Sequence, residues 1–309
     1  VKFFKKSAFS LLSFTNMLFN MQILDGIATS NIIKSRIKQE VDALVQSGKR
    51  RPHLAAVLIG DNGASLTYVG AKVKACEAVG FESTLIQKPA DITQDEVLGI
   101  VAQLNADDRI DGYIVQLPLP AHIDETVVLL AIDPRKDVDG FHPENVGRMA
   151  LNLPTFLPAT PYGILQLLEH YNIETSGKHC VVIGRSNIVG LPMSILMQRN
   201  TYPGNCTVTI AHSKTRNLKE LTLQADIIVA ALGRPEFVTA DMIKEGAVII
   251  DVGITRIADE TKKSGFRLAG DVHFDSVAAK CSAITPVPGG VGPMTIASLL
   301  KNTLQAAQR

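Results

Sequence analysis

Apolar positions along this chain follow two repeats in turn. Over residues 28–46, Ile32, Ile33, Ile37, Val41, Leu44 and Val45 recur at three and four, the period of a helix with one buried face, and Gly48 closes it. Residues 53–60, H-L-A-A-V-L-I-G, are instead one continuous apolar run ending in glycine, which predicts a strand buried on both faces. Residues 65–80 return to the helical period, with Val69, Val73, Cys76 and Val79 on one side and Gly80 as the stop. A strand over 81–87, a helix over 93–104 opened by a Thr93/Glu96 capping box, and a strand over 112–117 ended by Pro118 follow, then a short helix over 125–132. Strand alternating with helix predicts a parallel sheet with right-handed crossovers and ligands at the carboxyl ends of its strands.

The stretch P-T-F-L-P-A-T-P at 154–161 reads as a rigid boundary, with Thr160 as the cap of a helix that starts at Pro161 and runs to about 171. A second alternation begins beyond it. Strands are predicted over 179–184, 205–212, 225–233 and 246–253, with a short last one over 268–272, a helix reaching 197, and a closing helix over 293–306. The fold class is α/β, with two α/β domains and a cleft between them. The first covers 21–150, has a parallel sheet and is completed by 286–309; the second, over 151–285, is Rossmann-like. Residues 1–20 read as an N-terminal extension outside the fold, because Ser10, Ser13, Thr15 and Asn16 interrupt the apolar run; a targeting segment is the alternative.

Composition narrows the function classes. A length of 309 residues favours two domains, and a net charge of +1 carries no electrostatic footprint for nucleic acid. The cysteines, Cys76, Cys180, Cys206 and Cys281, form no C-x-x-C pair, so neither a structural zinc site nor a disulfide framework is expected, and a cytoplasmic location with reduced thiols is. No metal and no membrane partner is expected.

Candidate chemistry gathers at predicted strand ends. Tyr68 and Lys72 stand four apart and share one helix face, an aromatic plane beside an amine, although an ordinary surface helix carries such residues too. Gln116 ends the 112–117 strand. In the loop K-D-V-D-G-F, one of Asp137 and Asp139 is free to point inward. Gly184 and Gly190 bracket a strand-to-helix turn, where free N–H groups favour a phosphate. An NAD site usually carries an acid at the next strand end; here stand His212, Ser213 and Lys214, with Arg185 and Ser186 in the turn itself. That set favours the extra phosphate of NADP, against a reading in which the cations merely solvate a loop. Gly253 and Ile254 end another strand at the same crevice, and P-V-P-G-G-V-G-P at 286–293 allows close backbone approach to a ligand.

Together these segments resemble the bifunctional methylenetetrahydrofolate dehydrogenase/cyclohydrolase family. The likeness rests on S-L-T-Y-V-G-A-K, V-Q-L-P-L-P, K-D-V-D-G-F, V-I-G-R-S-N-I-V-G-L-P, H-S-K-T and P-V-P-G-G-V-G-P-M-T, in that order from Leu24 onward. It implies a homodimer acting on tetrahydrofolate derivatives with NADP, the first domain catalytic and the second NADP-binding. It also implies roles: Lys72 catalytic, Gln116 supporting it, Tyr68 stacked on the folate, Asp139 on the pterin, and Gly184, Arg185, Ser186, Ser213 and Ile254 on NADP. Three departures stand out: Ala159 replaces a cysteine common in the family, the stretch 199–205 is longer than usual next to the Ser213 edge, and residues 1–20 match nothing in the family.

The implied chemistry suits these residue types. Hydride loss from the substrate carbon leaves a cation shared by two nitrogens and moves no proton, so a dehydrogenase site without a histidine is adequate. Hydration of that cation needs a base. A free lysine titrates near 10.4, so Lys72 would need burial and a cationic substrate to serve. Two rivals are a dehydrogenase-only relative, which would not need both Lys72 and Gln116, and a non-catalytic NADP-sensing module, which would not need Tyr68, Lys72 and Asp139 together.

Overall fold

The computed structural model describes residues 21–262 and 265–309; the reading of residues 1–20 as an extension lies outside the described residues. The first half runs β1 (Gln22–Ile23), α1 (Gly26–Gln46), β2 (His53–Ile59), α2 (Gly63–Val79), β3 (Glu82–Lys88), α3 (Gln94–Ala106), β4 (Gly112–Val115), α4 (Glu125–Ala131) and α5 (Pro143–Ala150). The second runs α6 (Ala159–His170), β5 (His179–Ile183), α7 (Gly190–Gln198), β6 (Thr207–Ala211), α8 (Leu218–Thr222), β7 (Ile227–Ala230), β8 (Val248–Asp251), β9 (Thr255–Ala258), β10 (Phe266–Ala269), α9 (Phe274–Ala278), β11 (Ala283–Ile284) and α10 (Val291–Ala307).

Two parallel sheets result, a three-stranded one ordered β3-β2-β4 and a six-stranded one ordered β1-β11-β8-β7-β5-β6. The apolar run at β2 is buried at every position after His53 because it is central and covered on both faces. Its alternate side chains serve two cores. Leu54, Ala56 and Leu58 pack with Ile37 and Val41 of α1 and Val69 of α2; Ala55, Val57 and Ile59 pack with Val97 and Val101 of α3 and Val128 of α4. In the second sheet Val182 and Val229 face Leu167 and Met193, while Val181 and Ile228 face the opposite side.

The chain crosses between the halves twice. α10 places Leu299, Leu300 and Leu304 in the core of the first sheet. It lies so close to α6 that a Cβ on Gly163 would stand 2.8 Å from the Met294 backbone. In the other direction, β1 pairs with β11 at the edge of the second sheet, although the sequence groups residues 22 and 23 with the first domain.

The structure departs from the sequence reading at four further places. The helix assigned to a Thr160 cap starts at Ala159 behind Pro158 with no side-chain cap, and the Thr160 hydroxyl instead meets Thr295 Oγ1 at 3.0 Å. The strand expected over 268–272 is Phe266–Ala269, and it turns back antiparallel on β9 as a separate hairpin. α5 was not anticipated; Pro143 sits in its first turn and the His142 ring accepts from Glu144 N. The long stretch 199–205, closed by Asn205 N donating to Arg199 O at 2.8 Å, precedes β6, whereas Ser213 follows it. A strand of five residues, roughly 16 Å, separates the two, so the insertion lies at the opposite end of the sheet from the cofactor edge.

Candidate active site and dinucleotide edge

α2 leaves the carboxyl end of β2 and carries Tyr68 and Lys72 on one face. Gln116 follows β4 directly and extends the ladder by donating its N–H to Val57 O at 2.9 Å. Lys72 Nζ donates to Gln116 Oε1 at 3.1 Å, and Gln116 Nε2 donates to Leu117 O at 2.8 Å, so the amide is oriented from both ends. The Leu117–Pro118 bond that follows is cis. Lys72 is only 8% exposed, whereas Tyr68 is half-buried. Burial pushes the Tyr68 phenol up, and the Arg256 guanidinium draws it back. One turn deeper, burial pushes the Cys76 thiol up to about 12, which removes it as a nucleophile.

The two aspartates of the D-V-D-G loop separate cleanly. Asp137 is buried and structural: it accepts from Gly140 N, His142 N and Asn145 Nδ2 at 3.2, 2.7 and 2.9 Å. Asp139 is half-buried, and no described residue hydrogen-bonds its carboxyl. Burial raises the Asp139 carboxyl, Lys72 lowers it, and Asp137 raises it, so the carboxyl shares an electrostatic neighbourhood with Lys72. Asn302, on α10, holds the loop by donating to Val138 O and Leu157 O at 2.8 and 2.9 Å. Sequence reasoning missed Asn302, since an asparagine in a terminal helix carries no local signal.

At the second sheet, Gly184 follows β5 with φ of +130°, and a Cβ there would stand 2.2 Å from Ala231 O. A Cβ on Gly190 would meet Gly184 O at 2.3 Å, so the turn admits backbone only. Arg185 and Ser186 are exposed beside it. The Ser186 oxygen accepts from Val189 N and Gly190 N, leaving its own O–H to donate outward. Ser213 and Lys214 are exposed in a turn that the His212 N–H closes onto Thr215 Oγ1, and Ile254 is 43% exposed beyond β8. A bare-backbone turn, an exposed guanidinium, and hydroxyls in a His212–Thr215 turn that contains no acid fit a dinucleotide bearing an added phosphate.

Two further aspartates, unread in the sequence, fix the loops at this edge. Asp271 accepts from Leu232, Gly233 and Arg234 N–H at 2.6, 2.9 and 2.8 Å. Asp251 accepts from the N–H groups of Gly253, Asp271 and Val272, yet burial pushes its carboxyl up to about 7. Among the described residues no cluster of His, Cys, Asp or Glu is placed to hold a metal ion, and no helix is long and apolar enough to cross a membrane.

A parallel sheet whose strand ends carry a lysine–amide pair, and a second whose strand β5 ends in a backbone-lined turn, define a two-domain α/β protein of the dinucleotide-using class. The chain belongs to the tetrahydrofolate dehydrogenase/cyclohydrolase family: residues 24–139 match that family's catalytic domain and residues 158–309 its NAD(P)-binding domain. It is 70% identical over 287 residues to the bifunctional protein FolD of Cytophaga hutchinsonii, covering 93% of this chain and 99% of that one. The FolD of Flavobacterium johnsoniae is 63% identical, with 93% and 97% covered. Among solved structures, the bifunctional FolD of Campylobacter jejuni superposes with a TM-score of 0.87 at 47% identity, over 93% of this chain and 99% of that one. The Trypanosoma brucei FolD, complexed with NADP cofactor and inhibitor, gives 0.89 at 39% identity, over 94% and 98%.

Proposed function

We propose that this chain oxidises 5,10-methylenetetrahydrofolate to 5,10-methenyltetrahydrofolate with NADP and then hydrolyses that product to 10-formyltetrahydrofolate. The observation that carries the second step is the 3.1 Å hydrogen bond between Lys72 and Gln116. It supplies a positioned amine where a dehydrogenase-only relative or a dinucleotide-sensing module would need none.

In this reading Tyr68 stacks on the folate ring system. Asp139 accepts paired hydrogen bonds from the pterin amine and ring N–H, a role supported by its carboxyl having no hydrogen-bond partner among the described residues. Gly184, Arg185, Ser186, Ser213 and Ile254 hold NADP, which when bound supplies the hydride acceptor. Tyr68 and Asp139 fix the substrate carbon against the nicotinamide, and no proton moves in that step. Water then adds to the cationic carbon. Lys72 takes the proton that water loses, with Gln116 Oε1 orienting the amine. The bond from that carbon to N5 breaks, the carbinol becomes a formyl group, and N5 regains a proton.

A homodimer in the cytoplasm completes the proposal. Its support is the family likeness together with four buried cysteines held as free thiols, which suit a reducing compartment. Light scattering on the purified chain measures the oligomer directly.

The deciding assay follows near-ultraviolet absorbance of purified protein with methylenetetrahydrofolate and NADP. Wild type is expected to form NADPH without lasting methenyl product. Lys72→Met is expected to bind NADP but to hydrate added methenyltetrahydrofolate at least about 100-fold more slowly. Equal hydration by both proteins would remove Lys72 as the base, and no reduction of NADP or NAD by wild type would remove the enzyme reading.

A further inference from the structure

Arg256 belongs to the second domain by sequence but reaches the first by its side chain. It lies on β9, two residues beyond Ile254, and its Nη2 donates to Thr67 Oγ1 of α2 at 3.3 Å. Nη1 stands 3.7 Å from where a Cβ would sit on Gly63, at the start of that helix. From β10 the Phe266 ring supports the guanidinium, 4.7 Å from its centroid. The charge is near enough to Tyr68 to pull on its phenol.

What Arg256 lacks is an anion. Arg50, Arg109, Arg135 and Arg267 each pair with a carboxylate, but among the described residues none pairs with exposed Arg256. Its position is nonetheless fixed, by a hydroxyl and a ring face. A guanidinium held in place with its charge uncompensated is oriented for a carboxylate from outside the protein.

The burial gradient along α2 says which carboxylate. On the face that carries the site, Cys76 is fully buried, Lys72 nearly so and Tyr68 half-buried, and Thr67, which Arg256 reaches, is exposed, so that face runs outward from the core toward Arg256. From Lys72 to Gly63 it rises about 13 Å, a length that an aminobenzoyl linker and an arginine side chain can span. A folate places its pterin at one end of that linker and its glutamate at the other. With the pterin beside Asp139 and the ring on Tyr68, the glutamate leaves the cleft toward Arg256.

We propose that Arg256 binds the glutamyl carboxylates of the folate, so that the second domain recognises the substrate's tail as well as the cofactor. This rests on the placement of Tyr68 and Asp139 given above. The role is one of substrate specificity: it favours glutamylated folates over the same pterin–aminobenzoate without glutamate.

The test compares kcat/KM for 5,10-methylenetetrahydrofolate and for its glutamate-free counterpart, 5,10-methylenetetrahydropteroate, at saturating NADP. Wild type is expected to prefer the glutamylated substrate, and rising salt to shrink that preference. Arg256→Gln is expected to reduce the ratio about three- to tenfold, through KM, and Arg256→Lys to recover part of it. An unchanged ratio in Arg256→Gln overturns the proposal. So does an equal loss on both substrates, which would make Arg256 a support for Tyr68 and nothing more. Tyr68→Leu, run in parallel, is expected to lower kcat/KM on both substrates alike. Its failure to do so would remove the ring's seat on Tyr68 while leaving the Arg256 ratio readable.

Discussion

Two aspartates two positions apart in the D-V-D-G loop differ in what they hold, and the proposed function gives the second of them the pterin. Asp137 spends its oxygens on Gly140, His142 and Asn145, whereas Asp139 has no such partner. Asp137→Ala leaves buried donors unmet and is expected to cost about 3 kcal/mol, read as a lower urea midpoint. Asp139→Ala is expected to keep the midpoint and to raise KM for the folate at least about tenfold, the loss of a paired, charge-assisted contact. The reverse pattern would exchange the two assignments. The sequence could not choose between them, because the choice depends on Asn145 and the His142 N–H, which only the folded loop brings near. It did put Tyr68 and Lys72 on one helix face and Gln116 at a strand end, because helical spacing and strand ends are local facts. Arg256 escaped it, since nothing near that residue in sequence points to Thr67.

At the scale of elements, the sequence was legible where a period repeats and illegible where an element is too short to have one. The helices α1, α2 and α3 and the strand β2 follow from their spacing, and α3 has both halves of its expected capping box. The two-residue strands β1 and β11 offer no pattern to read. The 266–269 strand resembles a core strand in composition, and only its antiparallel partner β9 sets it apart. The most consequential element for the site is α10, through a single side chain. Asn302→Leu keeps the size of the residue but leaves the Val138 and Leu157 carbonyls without a donor. We expect it to cost about 2–4 kcal/mol and, by loosening the loop that bears Asp139, to raise KM for the folate while KM for NADP stays within twofold or so. Calorimetry and initial rates measure the two effects separately, and an equal rise in both constants would show a general loss of structure instead.

For the molecule as a whole, Asp251 sets a pH dependence. Its carboxyl titrates near 7 when folded and near 3.9 when unfolded. Between those values the folded chain holds a proton that the unfolded chain has lost. Stability from this group is therefore complete below about pH 4 and disappears as pH rises through about 7. Compared with Asp251→Asn, which does not titrate, wild type is expected to lose up to about 3 kcal/mol between about pH 5 and about pH 8, measured by urea denaturation of both proteins. A constant difference would mean that its three N–H donors outweigh burial and keep the carboxylate charged. The six ordered motifs made the two-domain plan legible in the sequence, but not the exchange between domains, because packing partners far apart in the chain leave no mark in either segment. That exchange has a bearing on how the protein is made. The core around β2 lacks Leu299, Leu300 and Leu304 until residues 291–307 have been synthesised. At about 5–20 residues per second, the first half emerges from the ribosome many seconds before the helix that closes it. For that interval its apolar face is open to chaperones, and the two halves reach their final form together.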